Sequence, residues 1–369
     1  MLDKTATSRA AVAVKGGRRI EMAEFPIPDI APDAGLLRVV ATGICGSDYL
    51  KYSDSKQGPR ILGHEMVGTI EKIGDIARAR WGVQQGDLVA LEEYLPCGYC
   101  DYCRSGEMRS CLATDTRLPG AVRYGSTSID VPPSLWGGYS RFLYMHPRSV
   151  LHRVPEGVPA HIAAMCLPIG NGFEWVTFDG QCGPGKTVVV QGPGQQGLGC
   201  VIAAHISGAE TIIVSGLARD EARFDLARAL GADHVIAVDQ QDLAIEVARI
   251  TGGRMADIVV DTSGVGPTNI NPSLHLLRKR GVLLIVSQRG VAKEFDSDRL
   301  IGNQITLKGL RGHSYQAVEM ALRTMARAKL PLERMSSHVL GLEDVDAAIR
   351  MVGGEGSERP IHISIAPWK

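Results

Sequence analysis

Residues 186–199, KTVVVQGPGQQGLG, join a run of apolar residues to a glycine-rich turn. Thr187 to Gln191 is long enough for one strand, and its three consecutive valines favour extended backbone. Gly192, Pro193, Gly194, Gln195, Gln196 and Gly197 follow as G-x-G-x-x-G, and the residues after them read as a helix. In such a strand, turn and helix the glycines allow a tight bend and let a pyrophosphate approach the free amides and positive dipole end of the helix. A glycine-rich turn alone carries little; its flanks carry the assignment. ETIIVSG, DHVIAVD, ADIVVDTSG, GVLLIVSQ and ITLKGL are short apolar runs that alternate with helical stretches such as RDEARFDLARAL. Uniformly apolar strands between helices predict a parallel sheet covered on both faces, an α/β unit that binds a dinucleotide through those six turn residues.

The strand after the turn ends in Ser215 and Gly216, with Arg219 and Arg223 beyond. A carboxylate at that strand end holds the ribose diol of NAD and repels the 2′-phosphate of NADP. None stands there, so Ser215 and Arg219 join the cofactor-binding set, and weak discrimination or a lean towards NADP is expected. Asp220 comes later, where capping the next helix accounts for it.

Upstream, the first ~160 residues carry short β-like runs, LLRVVATGI, MVGTIEKIG and DLVALEEY among them, divided by Gly, Pro and Asp turn signals. They predict a second, β-rich domain, and 369 residues exceed what one core usually serves. Beyond Gly309 no further strand is expected; SYQAVEMALRTMARAKL and LEDVDAAIRMV read as amphipathic helices of a tail that returns to the first domain. Lys+Arg and Asp+Glu both total 40, which argues against nucleic acid and anionic membranes as partners. No apolar stretch reaches the roughly 18 residues of a membrane span, and the start lacks a signal-peptide pattern. A small-molecule partner and a cytoplasmic location are expected.

Four of the eight cysteines, Cys97, Cys100, Cys103 and Cys111, fall in YLPCGYCDYCRSGEMRSC with the spacing C-x2-C-x2-C-x7-C. In a reducing compartment such a cluster points to a metal rather than to disulfides, and four thiolates close a tetrahedral zinc shell with no position left for substrate. An iron–sulfur centre shares the first three cysteines but expects the fourth sooner and followed by proline. A second group comprises Cys45, Ser47 and Asp48 in TGICGSDYL with His64 and Glu65 in ILGHEMVG. Singly each could be core or turn material; together thiolate, imidazole, hydroxyl and carboxylates make a partial zinc shell with an open position.

TGICGSD, LGHEMVGTI, the four-cysteine stretch, WGGYSRF and VVVQGPGQQGLG occur in the order found in zinc-dependent medium-chain alcohol dehydrogenases. Over nearly its whole length the chain resembles that family, near its alcohol, sorbitol and threonine dehydrogenase branches. The resemblance implies a GroES-like catalytic domain at residues 1–165 with a structural zinc lobe at 94–112, a Rossmann domain at 166–310, and a segment 311–369 that returns to the first. It implies a catalytic zinc at the domain cleft besides the structural one, a homodimer or homotetramer, and reversible hydride transfer between a secondary, aromatic or polyol alcohol and NAD(P). Cys45 and His64 would hold the catalytic zinc, Ser47 would begin the proton relay, Asp48 would orient His64, and Glu65 would be a neighbouring charge or occasional ligand.

Two positions depart from the family pattern. Leu50 stands where many relatives carry a relay histidine, which leaves the cofactor ribose, water or Tyr49 to finish the relay. Leu167 stands where the third zinc ligand is expected, and leucine binds no metal. Cys166, one residue earlier, is the expected third ligand, with Glu65 next and Glu174 more distant. In the long loop 112–136, Tyr124 and Trp136 either border a substrate pocket or cover the core. The alternatives are a zinc-free quinone or enoyl reductase of the same fold, which generally lacks both the cysteine lobe and the Cys45/His64 pair, and a non-catalytic nucleotide-binding protein.

Overall fold

The computed structural model describes residues 6–264, 267–286 and 290–369. The chain divides into two compact units, one of Met1–Leu167, Leu322–Ala328 and Ser336–Lys369, the other of Pro168–Ala321 and Lys329–Met335.

The first unit carries β1 (Thr7–Ala13), β2 (Ile20–Pro26), β3 (Gly35–Gly43), β4 (Arg60–Ile61), β5 (Glu65–Ile73), β6 (Leu88–Leu91), β7 (Phe142–Met145) and β8 (Leu151–Arg153). β1 pairs antiparallel with β2 and β4 in a small sheet. β3 is the hub of a larger one, antiparallel to β5 and to β7, with β6 and β8 beyond β5. Successive side chains of a strand point to opposite faces. Leu36 of β3 therefore joins one core with Ile61, Tyr139 and Ile363, while Leu37 joins another with Met66, Val89 and Trp136. A strand clasped between two cores reads as a nearly continuous apolar run, as LLRVVATGI does.

The second unit carries β9 (Thr187–Gln191), β10 (Thr211–Gly216), β11 (His234–Ala237), β12 (Ala256–Asp261), β13 (Leu277–Ile285) and β14 (Thr306–Gly309). They form one sheet in the order β11-β10-β9-β12-β13-β14, with every neighbouring pair parallel. This is the doubly wound order, in which the chain starts at the middle and turns back between β9 and β12. β9 and β12 are buried at every position, and the helix Gln195–Ile206 that follows β9 buries Gly197 through Ala204.

Two strands lie beyond Gly309, where none was expected: β15 (Ser336–Leu340) and β16 (His362–Ile365). β16 runs between β15 and β3, pairing Ser364 with Gly43 and Ile365 with Thr42. SSHVL and HISI are short and mix His and Ser with aliphatic residues, so no periodicity marks them; pairing with partners far along the chain holds them extended. The two expected helices of the tail are Tyr315–Arg327 and Val345–Val352. Tyr124 and Trp136 are core residues: both are buried with Leu37 and Leu143, and Tyr124 Oη donates to the Tyr144 carbonyl at 2.9 Å. Among the described residues no helix is long and apolar enough to cross a membrane.

Candidate active site and metal centres

The four clustered cysteines surround one helical turn, Asp101–Arg104, and their sulfurs all lie within 4.8 Å of one another. Cys100 Sγ and Cys103 Sγ are 3.5 Å apart; the Cys97 backbone N–H donates to Cys111 Sγ at 3.3 Å, and that of Gly98 to Cys103 Sγ at 3.4 Å. N–H groups aimed at sulfur favour the thiolate; at Cys103 desolvation outweighs the Gly98 N–H and pushes the thiol up to about 12, while at Cys97 the N–H groups win. The Tyr99 N–H, against opposing desolvation, holds the Cys97 thiol down to about 6. All eight cysteines are free thiols. Four converging sulfurs fit a closed tetrahedral zinc shell.

The second group is assembled by a helix start and a strand start. Cys45 precedes the helix Gly46–Ser53, and Asp48, at the third helical position, accepts the Cys45 backbone N–H through Oδ2 at 3.1 Å. Its other oxygen, Oδ1, lies 3.1 Å from Nδ1 of His64, the residue just before β5. Tyr139 Oη donates to Asp48 Oδ2 at 2.9 Å, so a carboxylate with no exposed surface is fully engaged. Burial raises the Asp48 carboxyl pKa, but the His64 imidazole outweighs it and holds the group below its usual range. Burial likewise lowers the His64 pKa, and Asp48 and then Glu93 overcome that to raise it well above its ordinary value. The two carboxylates thus favour the protonated form of the His64 ring. Glu93 is itself held by Arg123, whose Nε donates to it at 2.9 Å.

With Nδ1 committed to Asp48, His64 presents Nε2, which lies 3.4 Å from Ser47 Oγ. Donor atoms of Cys45, His64 and Glu65 all lie within 4.8 Å of one another. Glu65 Oε2 is buried with no hydrogen-bond partner among the described residues, an orphan that a bound cation would satisfy. A thiolate, an imidazole and a carboxylate oxygen are the donor types of a catalytic zinc site, so these residues fit the metal.

Cys166 is buried in the same unit but is not part of that donor group. Desolvation first, then the carboxylates Glu92 and Glu65, push its thiol well above the usual range. Glu174 belongs to the other unit, where its Oε2 accepts from the Ser314 backbone N–H at 3.0 Å and from Ser314 Oγ at 2.5 Å. Leu50 is partly exposed, and Tyr49 Oη donates to Glu355 at 3.1 Å. Tyr139, which bonds Asp48, and His362, 3.7 Å from Glu65, carry no signal of their own in the sequence. Tyr139 was visible only as part of WGGYSRF, and His362 stands on a strand no pattern marked.

In the second unit, Gly192 N donates to the Ser215 carbonyl at 2.8 Å, which ties the turn to the end of β10. A Cβ on Gly197 would sit 1.9 Å from the Gly192 carbonyl oxygen, so only glycine lets the helix start this close to the strand. Gln196 Oε1 accepts from Asn171 Nδ2 at 3.0 Å, and Asn171 Oδ1 lies 2.8 Å from His313 Nδ1. Gln195 opens the helix behind Gly194. Ser215 is buried and Arg219 is exposed; Asp220 stands at the start of the helix Glu221–Ala229 but makes no side-chain capping bond to it, its Oδ2 instead accepting the Leu217 backbone N–H at 3.0 Å across the turn Ala218–Asp220.

Two family models match the chain: the alcohol dehydrogenase GroES-like domain over residues 31–156 and the zinc-binding dehydrogenase over residues 197–327. A probable alcohol dehydrogenase of Mycobacterium tuberculosis is 34% identical over 364 residues, covering 97% of this chain and 98% of that protein. The sorbitol dehydrogenase of Bacillus subtilis is 31% identical, covering 75% and 74%. The crystal structure of an alcohol dehydrogenase from Thermotoga maritima shares the fold with a TM-score of 0.85 at 24% identity, covering 98% of this chain and 100% of that one. With its GroES-like and doubly wound units, its two groups of metal donors and its dinucleotide turn, the chain belongs to the zinc-binding medium-chain alcohol dehydrogenase family.

Proposed function

We propose that this protein catalyses reversible hydride transfer between an alcohol and NAD(P), giving an aldehyde or ketone, with secondary, aromatic and polyol alcohols as the substrate range. The observation that carries the reading is the convergence of Cys45, His64 and Glu65 beside the Ser47 hydroxyl. These three residues would hold the catalytic zinc, and Cys97, Cys100, Cys103 and Cys111 the structural one. Zinc supplies Lewis acidity that makes the alcohol easier to deprotonate. Asp48 accepts the Nδ1–H of His64, fixing the tautomer that leaves Nε2 free to ligate. Ser47 takes the substrate proton and passes it on, to the cofactor ribose or to water, since Tyr49 is engaged with Glu355. The turn Gly192–Gly197 binds the pyrophosphate, and Ser215 with the exposed Arg219 receives the ribose. The missing carboxylate at the end of β10 supports weak discrimination or a lean to NADP. A cytoplasmic homodimer or homotetramer is the assembly proposed with it.

The test is metal analysis of the purified protein together with an alcohol panel run with both nicotinamide cofactors. Two zinc per chain and oxidation of at least one alcohol are expected. No zinc would leave the zinc-free reductase reading, and zinc without turnover on any alcohol would leave the non-catalytic binder. The same preparation decides the third ligand. Glu65→Ala is expected to lose the catalytic zinc while Cys166→Ala keeps it; the reverse pattern assigns Cys166, the competing thiol.

A further inference from the structure

β16 places His362 where the sequence offers no hint of it. The residue has no exposed surface, and both of its ring nitrogens are buried without a hydrogen-bond partner among the described residues. Its Nε2 lies 3.7 Å from Glu65 Oε2, itself a buried polar atom without a hydrogen-bond partner among the described residues, as are Ser336 Oγ and Ser364 Oγ nearby on β15 and β16. Three strands bring the pair together. On β3, Gly43 pairs with Glu65 of β5 on one side and with Ser364 of β16 on the other. A Cβ on Gly43 would stand 2.3 Å from Glu65 Oε2 and 2.7 Å from His362 Nε2. The bare glycine is therefore what lets carboxylate and imidazole face each other across the strand.

Buried polar groups are almost always satisfied, and an imidazole and a carboxylate oxygen that face each other at slightly more than hydrogen-bond distance, with no hydrogen-bond partner for either among the described residues, call for a function. His362 is not one of the mutually close donors Cys45, His64 and Glu65, so it acts on the centre through Glu65 rather than as a fourth member of that group. We propose that His362 is the positioning residue of Glu65: its Nε2–H holds one carboxylate oxygen, so that Glu65 is presented to the metal as the third donor, and Gly43 is bare to permit it. This rests on the reading of Cys45, His64 and Glu65 as a metal centre. A plain structural ion pair, the competing account, predicts an effect on folding and none on metal binding.

The experiment measures zinc affinity by chelator competition on the full chain, and the visible spectrum after cobalt replaces zinc at the weaker site. His362→Leu is expected to weaken that site roughly 10- to 100-fold, the usual effect of losing a ligand's supporting partner, and to shift the cobalt bands. His362→Gln, which keeps a donor, is expected to recover part of the loss. In a Glu65→Ala background, which is purified without the second zinc and whose residual affinity is read by titrating cobalt back in, His362→Leu is expected to change that affinity no further, because a residue acting through Glu65 has nothing left to act on. Should His362→Leu give no soluble protein, Gly43→Ala, which forces a methyl between the pair, is expected to produce the same loss. Two metals per chain with affinity and cobalt spectrum unchanged in the variant overturn the inference and leave the metal centre standing. An equal loss in the Glu65→Ala background also overturns it. Only one metal in the unaltered protein overturns the metal centre itself, and the role of His362 falls with it.

Discussion

Ser47 stands at the N-terminal turn of a short helix, with its hydroxyl 3.4 Å from His64 Nε2 and the backbone of Cys45 and Asp48 fixing its position. Removing one hydroxyl from that place should disturb proton transfer alone. For Ser47→Ala we expect kcat to fall by about a hundredfold or more, with both zinc ions and cofactor affinity retained, checked by steady-state kinetics and metal analysis. Wild-type turnover in that variant would remove Ser47 from the mechanism. At this scale much of the site was legible, because Cys45, Ser47 and Asp48 are near neighbours and His64 is adjacent to Glu65. Residue types at short spacing carry chemical information even before their geometry is known. Tyr139 reaches Asp48 from 91 residues away, and His362 reaches Glu65 through a strand pairing; neither contact leaves a trace in local sequence. Leu167 shows the same limit from the other side: the motif position lacks a ligand, sequence ranks Cys166 ahead of Glu65 for the part, and it takes geometry to find Glu65 grouped with Cys45 and His64.

The glycine-rich turn owes its shape to what is missing from it. With its hypothetical Cβ 1.9 Å from a carbonyl oxygen, Gly197 tolerates no side chain unless the helix moves off the strand. Gly197→Val is expected to weaken binding of the reduced cofactor at least about tenfold, equivalent to ~1.4 kcal/mol, measured by fluorescence titration. The metal content should not change, since all the donor residues belong to the other unit. Undiminished cofactor affinity would show that the pyrophosphate does not use this turn. The strands of this unit were readable because burial on both faces makes them continuous apolar runs; β9 and β12 have no exposed position to interrupt the signal. β15 and β16 carry polar residues inside four- and five-residue strands, and their extended form comes from neighbours rather than from their own preference.

On the scale of the whole molecule, the four-cysteine lobe should be a matter of stability. Cys100→Ser opens one corner of the shell, and structural zinc contributes folding free energy directly, so a Tm lower by on the order of 5–10 °C is expected in a thermal scan, with one zinc fewer per chain. A variant that keeps its full zinc and its melting curve yet loses turnover would make the lobe catalytic instead. The two-unit plan, β-rich then α/β, was legible from texture along the chain, but the manner in which the first unit is closed was not. Its large sheet is completed by β16, and just beyond that strand Trp368 lies under Arg38, whose Cζ is 3.4 Å from the ring centroid, and donates from Nε1 to the Val39 carbonyl at 2.9 Å. β3 and β16 are thus about 320 residues apart in sequence and adjacent in space. During synthesis the chain emerges at ~5–20 residues per second, so β3 and Glu65 leave the ribosome tens of seconds before His362 exists. In that interval the α/β unit, whose sheet strands all lie in one continuous stretch, has what it needs to fold, while the first unit waits with a sheet that lacks an inner strand. The nascent protein is therefore expected to recognise its dinucleotide before it can hold its catalytic metal firmly, and a chain stalled before residue 362 would expose the flank of β3 to any other strand able to take that place.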